Sequence, residues 1–319
     1  MFESGYAWGG MSIRLIAIDM DGTLVHSDGH VSKRNLNVLA QAELCGVEIA
    51  IATGRRHCYA MRVLRDLNFA AKRALISSNG TVIRTIGSDL LHRSHMPAET
   101  ARWLCEHVNE FRGTLVLTFD KVRADGEDDR GALVCERMEE LNASIGRWME
   151  VNEPYIDYVS PIERALEDAA PIQMMLCGPI ARMREAEAHL LADPRITSVD
   201  GPCSPGIEVT LHRTEYAHRD LCILDILPAG CSKASALLHL AELRGIEASE
   251  ILAIGDNWND LPMFQAAGSA AVMANAPEDL RALARERGWT IVPSNDEDGV
   301  AVVVEAVLAA DCDLSSALH

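Results

Sequence analysis

Short apolar runs that end in acidic, hydroxyl or glycine residues recur along the first part of the chain. IRLIAI runs from Ile13 to the residue before Asp19, VEIAIAT covers 47–53, and RALISSNG covers 73–80. A nearly continuous apolar run is typical of a parallel strand buried on both faces. Between the first two runs, apolar residues recur at helical spacing, with Ser32 as the predicted cap. This alternation predicts an α/β fold with a doubly wound, Rossmann-like parallel sheet.

The alternation of strands and helices stops after about residue 85. Strands predicted at 114–119 and 171–178 are mixed with helices in no regular order, which is typical of an α+β domain. The alternating pattern returns with a helix predicted over 232–246. We therefore predict an α/β core that is split in sequence by an inserted α+β domain. The predicted divisions are a core of residues 12–84 and 229–319, an inserted domain of residues 85–228, and an N-terminal extension of residues 1–11.

Charge and composition exclude several classes of partner. The 319 residues carry a formal net charge of −18 with 48% hydrophobic residues. So acidic a surface repels phosphate backbones and anionic lipids, so we expect neither nucleic acid nor a membrane as partner. No apolar run approaches the ~20 residues of a membrane span, and MFESGYAWGG does not resemble a signal peptide. Nine cysteines without a CxxC pair favour a reducing compartment, the cytoplasm, over a disulfide framework or a zinc site.

Two aspartates follow the first predicted strand in the motif DMDGTL. Doubly wound sheets place their sites at the carboxyl ends of strands. Asp19 and Asp21, followed by a glycine turn, are suited to a hard divalent cation such as Mg²⁺, which prefers oxygen ligands. The carboxylate that the metal does not hold is available for proton transfer. The alternative is a turn with solvated aspartates, which the position after a buried strand disfavours.

Three further motifs lie at predicted strand ends or helix starts. Thr53 in ATGR combines a hydroxyl with exposed backbone N–H groups, which predicts an anion site, although a helix cap explains it equally well. Lys233 lies near the start of the helix predicted over 232–246, where a lysine is ordinarily a surface residue. In GDNWND, Asp256 and Asp260 flank Asn259, and one carboxylate could complete a Mg²⁺ shell. The alternative there is an acidic helix N-terminus stabilised by the helix dipole.

Taken in order, the four motifs resemble those of the haloacid dehalogenase (HAD) superfamily of phosphohydrolases, specifically its Cof-like class IIB with a large α/β cap. The stretches SSNG (77–80), DLPMFQAAGSAAVMANAPEDLRALA (260–284) and SNDEDGVA (294–301) are similar to the same class. The resemblance covers the split core, about half of the chain. One departure is Ala234, where the class often has glycine after the lysine.

The resemblance implies a reaction through an aspartyl-phosphate. Asp19 is the implied nucleophile, and Asp21 the implied acid that protonates the leaving alcohol and then activates water. The implied ligands of Mg²⁺ are the carboxylate of Asp19, the main-chain carbonyl of Asp21 and the carboxylate of Asp256. The implied activity is Mg²⁺-dependent hydrolysis of a small phosphorylated metabolite, a sugar phosphate or a phosphorylated cofactor.

The resemblance also implies how the substrate is held. Asp260, together with Asn259, would orient the lysine and metal-bound water. The inserted domain is expected to close over the site, and Arg123 and Arg130 in the charged segment 120–130 are candidates for contacting a second anionic group. The implied phosphate- and substrate-binding residues are Thr53, Gly54, Lys233, Asn79, Gly80 and Asn259.

Three other interpretations are open from the residues. A phosphotransferase or phosphomutase of the same superfamily would pass the phosphoryl group to an alcohol other than water. A signalling receiver domain also uses a strand-end aspartate, Mg²⁺, a threonine and a lysine, but it is far shorter and lacks the second aspartate. A binding protein that has lost activity is disfavoured, because DMDGTL, Lys233 and GDNWND are all intact.

Overall fold

The chain forms two compact units. The structure, a computed structural model, describes residues 12–201 and 204–317, and side chains as far as residue 310 in the last helix. The first unit ends at Asp89 and resumes at Lys233, and the second is Leu90–Ser232. The predicted N-terminal extension, residues 1–11, lies outside the described residues.

The strands of the described residues are short, and those of the first unit are almost entirely buried. In chain order they are β1 (Leu15–Asp19), β2 (Glu48–Ala52), β3 (Ala74–Ser77), β4 (Val82–Thr85), β5 (Leu90–Arg93), β6 (Leu115–Thr118), β7 (Leu133–Cys135), β8 (Ile156–Tyr158), β9 (Gln173–Gly178), β10 (Ile196–Ser198), β11 (Val209–Tyr216), β12 (Leu221–Pro228), β13 (Ile251–Gly255), β14 (Ser269–Met273) and β15 (Thr290–Val292).

The α-helices are distributed over both units. They are α1 (Lys33–Leu44), α2 (His57–Leu64), α3 (Ala98–His107), α4 (Glu139–Asn152), α5 (Ile180–Leu191), α6 (Lys233–Arg244), α7 (Leu261–Ala266), α8 (Glu278–Arg287) and α9 (Gly299–Ala317). Ser32 caps α1 as predicted, since its side chain accepts the backbone N–H of Asn35. Among the described residues, none of these helices is both long enough and apolar enough to cross a membrane.

The sheet of the first unit places β1 at its centre. Within this unit the strand order is β15-β14-β13-β1-β2-β3-β4. Neighbouring strands are parallel except β4, which is antiparallel to β3. The predicted fold class, a doubly wound α/β core with an α/β cap, is confirmed. The antiparallel β4 was not predicted, and it follows from the tight turn at Ser78–Gly80, because a parallel return needs a crossover of a dozen or more residues.

Apolar side chains on one face of this sheet form a core with α1 and α9. Ile16 and Ile18 of β1 are fully buried in one cluster with Leu39 of α1 and Val304 of α9. The two helices are also joined by a buried polar contact: the Oδ1 of Asn35 accepts the backbone N–H of Ala301 at 2.9 Å. Packing against these two helices therefore fixes the strand that carries the first acidic motif.

The second unit is a mixed sheet with apolar clusters on both faces. Its strand order is β10-β11-β12-β9-β6-β7-β8, with antiparallel pairing at the centre. On one face, Leu104 of α3 and Leu190 of α5 pack in a cluster with Leu176 of β9. On the other, Leu141 of α4 packs with Cys177 of β9. The successive residues of one strand thus serve two separate cores, as the pleat of a strand requires.

The charged segment 120–130 is held by ion pairs inside the second unit. Arg123 pairs with Asp125 at 3.1 Å and with Asp129 at 3.4 Å. Arg130 lies 3.6 Å from Glu153 and 3.7 Å from Asp157. The two arginines proposed to meet a second anionic group of the substrate therefore each have carboxylate partners within their own unit.

The described thiols are free, and most are buried. Cys58, Cys105, Cys135, Cys177, Cys222 and Cys231 are buried, whereas Cys45 is exposed. Burial raises the pKa of Cys105, Cys177 and Cys222 to about 12 and that of Cys135 to about 11. Because the thiolate is the reactive form, these buried thiols are chemically inert in the folded protein.

Packing therefore predicts which thiol reacts. At pH 8, an aromatic disulfide reagent should modify Cys45 rapidly, so Cys45→Ser should remove one fast-reacting thiol from the native protein. Cys177→Ser should remove none until the protein is unfolded in guanidinium, where each variant should lack one of the nine thiols. The measurement is the amplitude of the fast phase, and loss of a fast thiol in Cys177→Ser would contradict the packing of β9.

Candidate active site

The register of the central strands brings three motifs to one edge of the sheet. In the β1–β2 pair, Asp19 lies opposite Ala52, so Thr53 lies one residue beyond the level of Asp19. In the β1–β13 pair, Ile18 lies opposite Ile254, so Asp19 is level with Gly255 and next to Asp256. Because all three strands are parallel, these side chains emerge together at the carboxyl edge.

A buried lysine joins the nucleophile candidate to the GDNWND motif. The Nζ of Lys233, the first residue of α6, donates to Oδ1 of Asp19 at 2.5 Å and to Oδ1 of Asp260 at 2.7 Å. The lysine is only 1% exposed. Burial lowers its pKa, but the two carboxylates more than offset this, and the net shift is upward. The interpretation of Lys233 as a surface lysine is therefore wrong, and the two carboxylates favour its charged form.

Three carboxyl groups of the site face one ammonium. One oxygen each from Asp19, Asp256 and Asp260 lies within 4.8 Å of the others, facing one ammonium. Burial, reinforced by the charge of Asp260, raises the pKa of Asp19 well above its usual range and that of Asp256 to about 7. Crowded carboxylates that resist ionisation are the expected signature of a site that a cation completes.

Asp260 is committed to protein contacts through both oxygens. Its Oδ1 accepts from Lys233, and its Oδ2 accepts the backbone N–H groups of Asp256 and Asn257 at 3.1 and 3.2 Å. Asp260 thus shapes the loop and orients the lysine. The oxygens of Asp19 and Asp256 that face the cluster are the ones suited to a metal ion.

Gly22 lets the two acidic motifs approach each other. Its φ of +82° is a conformation that side chains rarely adopt, and a Cβ built there would come within 2.4 Å of Oδ2 of Asp256. The neighbouring Thr23 donates from Oγ1 to Oδ1 of Asp256 at 3.0 Å. The glycine of DMDGTL is therefore required both by backbone conformation and by the close contact.

Two asparagines that the sequence analysis did not single out fix the loop after β1. Asn275, which follows β14, donates to the carbonyl of Gly22 at 2.8 Å and lies 3.5 Å from Oδ2 of Asp256. Its Oδ1 accepts the backbone N–H of Asn295, whose side chain donates to the carbonyl of Val25. Both asparagines lie in stretches (260–284 and 294–301) that are similar to the Cof-like class. That similarity was the only feature of the sequence analysis that pointed to them.

The ATGR and SSNG motifs are joined by their backbones. The N–H of Asn79 donates to the carbonyl of Thr53, and the N–H of Ser78 to that of Arg55. Ser78, Asn79 and Gly80 all have positive φ, at 49°, 51° and 96°. The side chain of Asn79 lies against Gly54, where a Cβ would be 3.1 Å from its Oδ1. The structure therefore brings these predicted phosphate-binding residues together.

The hydroxyl of Thr53 is not the cap of the following helix. It accepts the backbone N–H of Arg55 at 3.1 Å, while α2 begins after Arg56, whose side chain makes no capping hydrogen bond to the helix. Thr53 is nonetheless buried at the carboxyl edge beside Asp19. The helix-cap interpretation is thus wrong, and the anion-site hypothesis for Thr53 stays a prediction.

Asp21 and Asn259 have different surroundings from the carboxylate cluster. The side chain of Asp21 is half exposed and bound by Arg55, whose Nε and Nη2 donate to its two oxygens at 2.8 and 2.5 Å. Asn259 lies in the one-turn helix Trp258–Asp260. Its buried Oδ1 has no hydrogen-bond partner among the described residues, so it remains available to a group bound at the site.

The chain is similar to known proteins over most of its length. Residues 16–304 match the family model of the haloacid dehalogenase-like hydrolases. The chain is 27% identical over 310 residues to 5-amino-6-(5-phospho-D-ribitylamino)uracil phosphatase YwtE of Bacillus subtilis, covering 93% of this chain and 99% of that protein. It is 27% identical over 274 residues to HMP-PP phosphatase of Escherichia fergusonii, covering 84% and 87%.

A solved structure shows the same fold over nearly the whole chain. A haloacid dehalogenase-like hydrolase from Bacteroides thetaiotaomicron superposes with a TM-score of 0.69 at 25% identity, covering 93% of this chain and 100% of that one. The family and the enzyme class predicted from the motifs, a phosphatase, are confirmed by these matches. The chain belongs to the haloacid dehalogenase-like hydrolase family.

Proposed function

We propose that the protein is a Mg²⁺-dependent phosphatase that hydrolyses a small phosphorylated metabolite through an aspartyl-phosphate on Asp19. The observation that carries the proposal is the buried Lys233, which clamps one oxygen of Asp19 at 2.5 Å beside Asp256. A carboxylate held rigidly at a strand end, next to a fixed positive charge, is arranged to attack an electrophile that arrives with its own negative charge.

The residues present fit a magnesium ion. The donors are hard carboxylate oxygens, the three carboxyl groups outnumber the one ammonium, and Gly22 lets the loop of Asp21 lie against Asp256, where a Cβ would clash. The carboxylates of Asp19 and Asp256 and the main-chain carbonyl of Asp21 would hold the ion. When bound, it neutralises charge on both the nucleophile and the phosphoryl oxygens.

The proposed first step is attack of an Asp19 carboxylate oxygen on phosphorus. The Asp19 O–P bond forms as the bond from phosphorus to the ester oxygen breaks, and the carboxyl of Asp21 gives its proton to that oxygen. Lys233 and the backbone N–H groups near Thr53 and Gly54 bind the phosphoryl oxygens, with Asn79 and Gly80 behind them.

The second step releases phosphate. Asp21, now a carboxylate, takes a proton from water as the water oxygen attacks phosphorus. The Asp19 O–P bond breaks, inorganic phosphate leaves, and Asp19 returns to its starting form. Dividing hydrolysis in this way converts one very slow displacement into two easier ones. Asn259 and Asp260 would orient the attacking water and the lysine.

The proposed substrate class rests on the family and its named relatives. The two curated relatives are named for a ribitylaminouracil phosphate and for HMP-PP, both small phosphorylated metabolites. We propose a metabolite of that size, a sugar phosphate or a phosphorylated cofactor, as the substrate here. Free thiols throughout the described residues support a reducing compartment, and we propose the cytoplasm.

The direct test is a phosphate-release screen across sugar phosphates, flavin mononucleotide, pyridoxal phosphate and ribitylaminouracil phosphates. We expect Mg²⁺-dependent release that a chelator stops and Mg²⁺ restores, because the carboxylates of Asp19 and Asp256 otherwise repel the substrate. Asp256→Asn should raise the Mg²⁺ concentration for half-maximal activity about tenfold or more. The exposed Asp66→Asn is the control and should leave it unchanged. Transfer to added sugars without free phosphate would favour a phosphotransferase instead.

Replacing the nucleophile should abolish the covalent intermediate. Asp19→Asn should lower kcat by about a thousandfold or more, because an amide is a poor nucleophile for phosphorus. Acid quenching during turnover of a ³²P-labelled substrate should trap labelled protein with the wild type and none with the variant. A thermal melt checks that the variant is folded, since Lys233 loses a charged partner. Labelled protein in Asp19→Asn would place the nucleophile elsewhere.

Replacing the acid–base residue should separate chemistry from metal binding. Asp21→Asn should lower kcat by about 10²–10⁴-fold, because neither proton transfer can take place. Mg²⁺ affinity, measured by calorimetry, should change less than about threefold, since the proposed ligand at this position is a main-chain oxygen. Loss of Mg²⁺ binding in Asp21→Asn contradicts that ligand assignment.

A further inference from the structure

A bidentate ion pair joins the proposed phosphate-binding loop to the proposed acid. Nε and Nη2 of Arg55 each donate to a different oxygen of Asp21. The pair lies outside the buried carboxylate cluster, with side chains 26% and 50% exposed. An exposed ion pair contributes little to stability. Stability therefore does not explain why the planar guanidinium of Arg55 holds both oxygens of a residue assigned to proton transfer.

Arg55 is fixed by three further contacts. Its N–H donates to Oγ1 of Thr53 at 3.1 Å, and its carbonyl accepts the N–H of Ser78 at 2.8 Å. Its guanidinium lies over the ring of Tyr59, 5.0 Å from the centroid. The N–H, the carbonyl and the guanidinium of Arg55 are therefore all held in place. The two N–H groups that bind the Asp21 carboxyl (the fork) thus have a fixed position.

We infer that Arg55 is a positioning residue that aims the Asp21 carboxyl at the leaving group, an inference that rests on the proposed function. A half-exposed aspartate without the fork would spread over several rotamers and would seldom present its proton to the ester oxygen. The contacts of Arg55 with Thr53 and Ser78 tie the acid to the loop proposed to hold the phosphoryl group. The position of the Asp21 carboxyl is thereby fixed relative to the bound phosphoryl group.

The contact with Arg55 leaves Asp21 able to carry and transfer a proton. When the Asp21 carboxyl carries the proton, one oxygen still accepts from Arg55 while the other directs its O–H to the ester oxygen. The P–O bond breaks as that proton moves, and the Asp21 carboxylate then accepts both N–H groups of the fork. In the hydrolysis of the aspartyl-phosphate the proton returns from water to the same oxygen.

The test is the dependence of kcat/KM on the leaving group. p-Nitrophenol leaves as a stable anion without a proton, whereas an alkyl oxygen needs one. For Arg55→Ala we expect a fall of about 10–100-fold with the best alkyl phosphate from the screen, but less than about threefold with p-nitrophenyl phosphate. Arg55→Lys, which keeps the charge but not the fork, should recover only part of the alkyl-phosphate activity.

The matched control is Arg62→Ala. Arg62 lies over the same Tyr59 ring, at 5.3 Å, and is exposed, so its loss should not change the ratio of kcat/KM between the two substrates.

In an Asp21→Asn background, Arg55→Ala should lower kcat/KM by less than about a further twofold, because the group that it positions is gone. Equal losses on both substrates would assign Arg55 to binding the phosphoryl group and overturn the inference, as would no loss at all. A wild type inactive on both esters would contradict the proposed function itself.

Discussion

The site depends on one buried charge, the ammonium of Lys233. Taking a lysine fully out of water costs several kcal/mol, and only close carboxylates compensate for it. Asp19 and Asp260 do so at 2.5 and 2.7 Å. Removing the ammonium would leave two carboxylates facing each other in a dry pocket, at a cost of about 3–5 kcal/mol. The same contacts that stabilise the buried lysine also hold Oδ1 of Asp19 in a fixed position.

The backbone supplies the rest of the precision. Parallel pairing of β1 with β2 and β13 fixes the level at which Asp19, Thr53 and Asp256 emerge, and a shift of one residue would turn each side chain to the opposite face. Gly22 then allows the first acidic loop to touch the last one. Asn275 ties that loop to the end of β14. Strand register sets the coarse position, and the short polar contacts set the final one.

Local sequence patterns were sufficient for the fold class and for the members of the carboxylate cluster. Asp19 and Asp256 follow strongly apolar runs, and the carboxyl ends of parallel strands converge whatever lies between them. Lys233 was identified only by resemblance, since a lysine at a helix start has no local sign of burial. The contacts of Arg55 with Asp21 and of Asn275 with Gly22 were not predicted. Each joins residues distant in sequence, and no periodicity encodes such a pair.

The boundary between the two units falls immediately before Lys233, since the second unit ends at Ser232. The second unit comprises the 143 residues Leu90–Ser232, and the next residue in the chain is the lysine of the candidate site. No linker residues separate the two. Length changes are tolerated in surface loops, but one at this junction would rotate the first turn of α6 and draw the ammonium away from its carboxylates. A different inserted domain would have to end with the backbone in the same position and direction at residue 233. This junction therefore restricts which inserted domains are compatible with the core.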